Sequence, residues 1–327
     1  MIELFGESEA MGKKGVLLIT MGDPATLSGV FPYLMKLFMD PLILRGVPGP
    51  LRPFLAAYIS IMKKEPVKEK YQAIGGGSPM DAITRRQADA LQELLKGQNI
   101  SVYHSNRYTQ PSVQDAYHRI KKDGIKKLFV LPLYPHFSPA ITGSSFDILK
   151  KLMEKDPDPP ETVFHDGFGA DPRFITLLAD RTLAALSKLS GIGKAAAVLS
   201  AHSLPEDLIR QGDPYLDNVM HSAAMLQEEF GDAVAQVGFQ SKGRATMEWL
   251  KPETDAVLRQ LAAEGVKGVA LAPISFVAEN IETLYDCDIL QKSLAESLGM
   301  HYARIKNFDD DADFIKFLAE LTQEGLA

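Results

Sequence analysis

Three short segments of the 327-residue chain carry side chains able to move protons or hold a metal, and each follows an apolar run. SAHSLP (200–205) puts His202 just past one such run. A histidine with an ordinary pKa near 6.5 exchanges a proton close to neutrality. LYPHFSPAITGSS (133–145) puts Tyr134, His136 and Ser138 at the end of another. Its Gly143-Ser144-Ser145 could open a helix whose free N–H groups favour an anion, although an N-capping serine gives the same pattern. SFVAENIETLYDCDI (275–289) is dense in acids: Glu279, Glu282, Asp286 and Asp288. A solvated helix start accounts for Glu279. Glu282 and Asp286, four apart, share one helical face, and their repulsion calls for a cation such as a metal nearby. One histidine, one or two carboxylates and a tyrosine suit proton transfer or a transiently held divalent metal.

Other chemistries find no support. Ser200 and Ser203 lack the GxSxG elbow of a nucleophilic serine. GGGSPM (75–80) lacks the GxxxxGK[ST] pattern and a preceding strand, and GIGK (191–194) leads into a strand instead of following one, so no nucleotide site is expected. Neither CxxC nor HExxH occurs. The single Cys287 forms no internal disulfide and cannot hold an iron–sulfur cluster, and it suits a reducing cytoplasm. A net charge of −7 argues against nucleic acid as a partner. No run of about 18 apolar residues predicts a membrane span. The acidic N-terminal stretch MIELFGESEAMGKKG reads as a disordered leader before the first strand, with Met11 a candidate start.

The elements that must position these residues are strands alternating with helices. Apolar or β-branched runs at 16–20, 101–103, 128–133 and 161–164 predict four strands, and runs at 195–200, 233–239, 268–274 and 300–305 predict four more. Helical spacing at 87–95 and 255–263, with Gly124 and Gly265 at C-terminal cap positions, completes the α/β pattern. The two halves are alike. Pro111/Pro252, Gly124/Gly265 and Pro132/Pro273 are each 141 positions apart, and LLITMGDP (17–24) parallels VLSAHSLP (198–205) at an offset of 181. The first half therefore carries about 40 extra residues, roughly 41–77, rich in Leu, Ile, Phe and Pro, where a substrate lid or a structural arm would sit. Two doubly wound domains are expected, each on a parallel four-stranded sheet: 14–166, joined by a C-terminal helix at 310–327, and 167–309. Their strand ends would face a shared cleft.

Taken together, these segments resemble the ferrochelatases over nearly the whole chain. SAHSLP followed by GDPY (212–215), LYPHFS…TGSS, FQSKG…WLKPETD (239–255), FVAENIETLYD, GGGSPM and LLITMGDP…YLMKLFMDPLIL match that family in the same order. The resemblance implies two Rossmann-like domains of the class II chelatase type. It also implies a lyase that inserts Fe²⁺ into protoporphyrin to make haem, with iron as substrate and no tightly bound cofactor. His202 and Glu282 match the catalytic pair, on opposite sides of the macrocycle centre, and His202, Glu282 and Asp286 match the metal-handling set. Either His202 takes the protons and Glu282 the metal, or the reverse. Tyr134 and Ser138 match pocket-lining positions, Arg107 and Tyr108 an RY pair, and Lys63, Lys64, Tyr71 and Ser78 positions near the propionates. Arg107, able to fork a carboxylate, is expected to matter more there than Lys63.

Residues 41–64 match an apolar lip, which admits peripheral contact with a membrane in an otherwise cytoplasmic protein. Three positions depart from the family pattern: Asn280 stands where a histidine is usual, Leu290 where the acidic ladder continues, and Ala140 where a hydroxyl is common. Iron insertion into coproporphyrin, cobalt insertion into a corrinoid precursor, and a non-catalytic tetrapyrrole carrier are the competing functions. Met21, where a tyrosine would mark the coproporphyrin type, and the long lip favour protoporphyrin.

Overall fold

In a computed structural model, residues 12–243 and 247–327 are described. The acidic leader through Met11 lies outside them, as does the 244–246 part of FQSKG…WLKPETD. All eight expected strands form. β1 (Lys14–Thr20), β2 (Ile100–Asn106), β3 (Lys127–Pro132) and β4 (Glu161–Phe164) pair in parallel in the order β2-β1-β3-β4. β5 (Ala195–His202), β6 (Val234–Gln240), β7 (Gly268–Pro273) and β8 (His301–Arg304) repeat this as β6-β5-β7-β8. The protein is thus α/β, with two parallel four-stranded sheets. β1, β5 and β7 are buried almost end to end because helices cover both faces, and so they read as apolar runs and not as alternations.

Alternate side chains of each strand enter different cores. Val16, Leu18, Phe129 and Leu131 of the first sheet join Ala197, Leu199, Ala270 and Ala272 of the second in one continuous cluster. The layer between them is built by α3 (Met80–Leu94), α6 (Pro172–Leu189), α8 (Tyr215–Phe230) and α11 (Ala312–Gly325). The outer faces pack separately: Leu17, Ile19 and Val130 against α4 (Val113–Lys122) and α5 (Ser144–Met153), and Val198, Val269 and Leu271 against α9 (Thr254–Ala263) and α10 (Lys292–Ser297). α11 returns to the first sheet, where Lys14 and Lys127 donate to the Leu326 carbonyl at 2.8 and 3.3 Å.

The repeat seen in the sequence is a repeat of structure. Asn106 N–H donates to the Pro111 carbonyl at 2.7 Å, and Phe239 N–H to that of Pro252 at 2.8 Å. Gly124 and Gly265, at φ +74° and +81°, close α4 and α9 in the left-handed region. α4 is started by a capping box in which Ser112 and Asp115 each accept the other's backbone N–H at 3.1 Å. The extra segment of the first half forms α2 (Arg52–Ala73), packed on α1 (Val30–Met39) through Val30, Leu34 and Tyr71. Leu51, Phe54, Tyr58, Ile61 and Met62 stay exposed at its start and along its outer face. GGGSPM is a close-packed turn: a Cβ on Gly77 would lie 2.0 Å from the Ala25 carbonyl oxygen.

Buried polar groups also tie the halves together. His136 of the first half holds Ser275 through Nδ1 at 3.1 Å and Ser222 through Nε2 at 2.9 Å, and it packs edge-on against Tyr215. Burial pushes its imidazole down to about 3, so it stays neutral in the fold. The unfolded chain takes up a proton below about pH 6.5 that the folded one refuses until about pH 3. Stability should fall as the pH drops through that window, by about 1.4 kcal/mol per unit for this group. Thermal unfolding of wild type and His136→Gln between about pH 7.5 and 5 checks this: the variant's Tm should depend less steeply on pH. Equal slopes would assign the acid sensitivity elsewhere.

Candidate active site

His202 ends β5, and Glu282 opens a ten-residue π-helical segment, Glu282–Gln291, that follows β7. Their contact is direct: His202 Nδ1 lies 2.8 Å from Glu282 Oε2. About a quarter of each side chain remains exposed, 27% and 26%. This corrects one expectation from sequence. At 2.8 Å no planar macrocycle fits between the two groups, which form a contiguous pair. Tyr215 of GDPY donates to the His202 carbonyl at 2.9 Å and fixes the backbone beneath the ring.

Desolvation opposes charge on both partners, but their mutual attraction and hydrogen bond outweigh it. His202 is raised above 6.5, and Glu282 is held below the usual carboxylate range with help from Ser241 and Lys70. With Glu282 ionised and engaging Nδ1, Nε2 is the ring atom left to accept a proton. The arrangement resembles the carboxylate–imidazole half of a hydrolytic triad, in which the acid orients the base and stabilises its cation.

The four acids of the 275–289 segment divide into two pairs. Arg304, almost fully buried, takes Glu279 at 2.9 Å and Asp288 through two bonds of 2.6 and 2.7 Å. Those two are structural. Glu282 and Asp286 face the site, and Asp286 receives the Ser241 hydroxyl and the Lys70 ammonium, the latter at 3.5 Å. Burial raises the Asp286 carboxyl, with Lys70 and Ser241 opposing and the Glu282 charge adding to the rise. Among the described residues, no three His, Cys, Asp or Glu side chains are arranged to hold a metal. The expected three-ligand set of His202, Glu282 and Asp286 is therefore not assembled, because Asp286 is turned onto Lys70 and Ser241.

Asn280 is consumed by local bonds. Its Oδ1 accepts Glu282 N–H at 2.8 Å and Thr283 N–H at 3.3 Å, while Nδ2 donates to the Ala278 carbonyl at 3.0 Å. It caps the π-helical segment and sets where Glu282 starts. Leu290, in the place of a further acid, is half exposed, and Ala140 is buried.

On the other side of the site, Tyr134 is buried and accepts Met21 N–H at 3.0 Å. The two LxxxMGDP-like strand ends place Met21 at the position in the first half that His202 occupies in the second. Ser138 is fully buried, and its hydroxyl is given to Asp213 at 2.6 Å across the joint between the halves. Arg107 reaches Asp40 at 2.6 Å and Ser144 at 2.6 Å, with Tyr108 donating to the same Asp40 oxygen at 3.0 Å. Burial opposes charge on Asp40, yet Ser144, the Leu42 N–H, Arg107 and Tyr108 hold its carboxyl below the usual range. Arg107 thus spends Nη2 on a protein carboxylate and Nε on a serine hydroxyl. Lys63 lies 5.8 Å over the Phe38 ring, and Lys64 is 3.7 Å from the exposed Glu65. Tyr71 and Ser78 both hydrogen-bond Asp23.

Asp23, Asp40, Lys70, Asp213 and Ser241 were not picked out as functional in the sequence. Asp23 carried a usable signal, since it lies in MGDP just past β1, where strand-end chemistry gathers. It is 4% exposed, and burial pushes its carboxyl up to about 7 against bonds from Ser78, Tyr71 and the Ile281 N–H, with the Glu282 charge adding to the rise. Ser241, at φ +61°, and Lys70 carry no such signal, because their meaning comes from Asp286, distant in sequence from both.

Solved structures place this fold among the chelatases. The chain resembles SirB from Bacillus subtilis with Fe³⁺ (TM-score 0.56, 12% identity, 96% of each chain). It also resembles CbiX, the terminal enzyme for biosynthesis of sirohaem in denitrifying bacteria (TM-score 0.52, 14% identity, 96% of this chain and 100% of that one). Sequence narrows the class. The ferrochelatase family model matches residues 13–326, and a ferrochelatase of Geobacter sp. (strain M21) is 37% identical over 312 residues, 95% of this chain and 98% of that one. The chain belongs to the ferrochelatase family, enzymes that insert ferrous iron into a porphyrin.

The His202–Glu282 coupling has a direct readout. In an NMR titration, the His202 ring should titrate above pH 6.5 in the wild type. In Glu282→Gln, burial then prevails over the lost charge and the pKa should fall below 6.5. An unchanged midpoint would mean that Glu282 does not set the basicity of His202.

Proposed function

We propose that the chain converts protoporphyrin IX and Fe²⁺ into protohaem, releasing two protons, as the last step of haem biosynthesis. The 2.8 Å contact between His202 and Glu282 carries this reading. Metallation requires the loss of two pyrrole protons and the exchange of iron's water ligands for four nitrogens. In the proposed mechanism His202 Nε2 accepts pyrrole protons, and Glu282 stabilises the resulting imidazolium through Nδ1. Its raised pKa makes His202 the better base near neutrality. Asp286, one step further along the same segment, receives iron before transfer. A saddled macrocycle exposes its nitrogen lone pairs, and such ground-state strain amounts to ~1–5 kcal/mol.

The propionates are assigned to Lys63 and Lys64, whose ammonium groups are not tied to buried carboxylates as Arg107 is. Tyr134 stands beside the reacting face, and Tyr108, Ser138, Tyr71, Ser78 and Asn280 act as supports of the cleft walls. No resident cofactor is invoked. The apolar face of α2, with Phe54 at 76% exposure and Tyr58 at 63%, supports peripheral contact of a cytoplasmic protein with a membrane. Among the described residues, no helix is long and apolar enough to cross one.

Metallation assays with protoporphyrin, coproporphyrin and sirohydrochlorin against Fe²⁺, Co²⁺ and Zn²⁺ test the substrate. Protoporphyrin with Fe²⁺ should give the highest kcat/KM, and a tenfold preference for another tetrapyrrole would overturn the assignment. His202→Ala should lower kcat by well over tenfold, a loss above ~1.4 kcal/mol, while porphyrin binding persists. Asn280→His should cost about 1 kcal/mol of stability as a lost cap, without raising kcat. A gain in kcat would instead make this position catalytic.

A further inference from the structure

Glu282 and Asp286 share one segment, and each is met by a basic side chain from a different direction. His202 reaches Glu282 from the second sheet, and Lys70 reaches Asp286 from α2 of the first half. The lysine is held twice: its Nζ lies 3.5 Å from Asp286 Oδ1 and 4.9 Å over the ring of the neighbouring Tyr285. Its position does not depend on that pairing alone. The next residue, Tyr71, is buried and bound to Asp23, and Asp23 accepts the Ile281 N–H at 3.3 Å. The end of α2 is therefore fixed against the segment independently of Lys70. The lysine side chain is partly exposed, 44% against 12% for Asp286, and is free to swing away while its backbone stays. The other Asp286 oxygen accepts the Ser241 hydroxyl, so the oxygen facing Lys70 is the one a newcomer can take.

We propose that Lys70 is a tethered competitor for the incoming divalent metal: its ammonium occupies the Asp286 oxygen that the metal must take, and metal binding displaces it. A divalent ion brings two positive charges to a carboxylate pair that already has two basic partners, an imidazole and an ammonium. Lys70 is the one of the two that leaves by a side-chain rotation, with no bond made or broken. Lys70 is thus a gating residue for the metal and not a catalytic one. A partly exposed pair of this kind competes only modestly, on the scale of a roughly two- to five-fold change in apparent metal affinity.

The test uses the full chain without porphyrin and measures Co²⁺ binding by calorimetry at low and high salt, followed by steady-state metallation. Lys70→Met should tighten Co²⁺ binding roughly two- to five-fold and lower the metal KM by the same factor. Lys70→Arg, which grips a carboxylate through two bonds, should weaken both. The gap between wild type and Lys70→Met should narrow at high salt as the pair is screened. Lys68→Met, which removes an equal charge paired at 3.3 Å with Glu65, is the control for long-range electrostatics and should leave Co²⁺ affinity unchanged. Equal Co²⁺ affinity in wild type and Lys70→Met overturns the proposal. So does weaker binding in Lys70→Met, or a shift of the same size in Lys68→Met.

Discussion

Two carboxylates on one short segment cannot both stay ionised in a half-buried cleft unless each has its own counter-charge. Much of this site follows from meeting that condition at Glu282 and Asp286. The imidazole at the end of β5 serves one acid, and the last turns of α2 serve the other. A second pair, Glu279 and Asp288, is removed from the problem by Arg304 behind the segment. The sheets, the lip and the cap at Asn280 all converge on this arrangement of charges.

The contact between His202 and Glu282 lies within one of two similar halves. At the first strand end of each sheet stands Met21 in one copy and His202 in the other. Both copies have a π-helical stretch after their third strand in sequence, Pro139–Gly143 and Glu282–Gln291. The first stretch carries no acid, and the second opens on Glu282. The corresponding loops of the first half instead supply neutral hydrogen-bonding groups, His136 and Ser138, that fasten it to its counterpart. The two equivalent strand ends thus differ: one carries ionisable side chains, and the other braces the halves together.

The strands were legible because central parallel strands are apolar over their whole length, and every one expected is present. His202 and the Glu282–Asp286 pair were legible because chemistry gathers just beyond strand ends in such sheets. What could not be read was pairing. Arg107 has the fork of a substrate clamp, but Asp40, at the far end of α1, and Ser144 each take one of its nitrogens. Ser138 sits in a motif that suggests a pocket wall, yet Asp213, 75 positions away, takes its hydroxyl into the joint. That His202 and Glu282 touch, and do not face each other across a ligand, depends on where β7 delivers the π-helical segment. No local pattern records that. In each case the missing information was a partner distant in sequence.

The continuous apolar cluster shared by the two sheets also bears on traffic through the cleft. Domains joined by small polar interfaces commonly open like a hinge, whereas a large apolar interface opposes such motion. Here Leu18, Phe129 and Leu131 of one sheet and Leu199, Ala270 and Ala272 of the other belong to the same core. Swinging the halves apart would bring that core into water. The exposed start and outer face of α2, from Leu51 to Met62, lie outside that shared core, so a change there leaves the joint between the sheets intact. The two sheets form a fixed frame, and the outer face of the inserted segment stands clear of it.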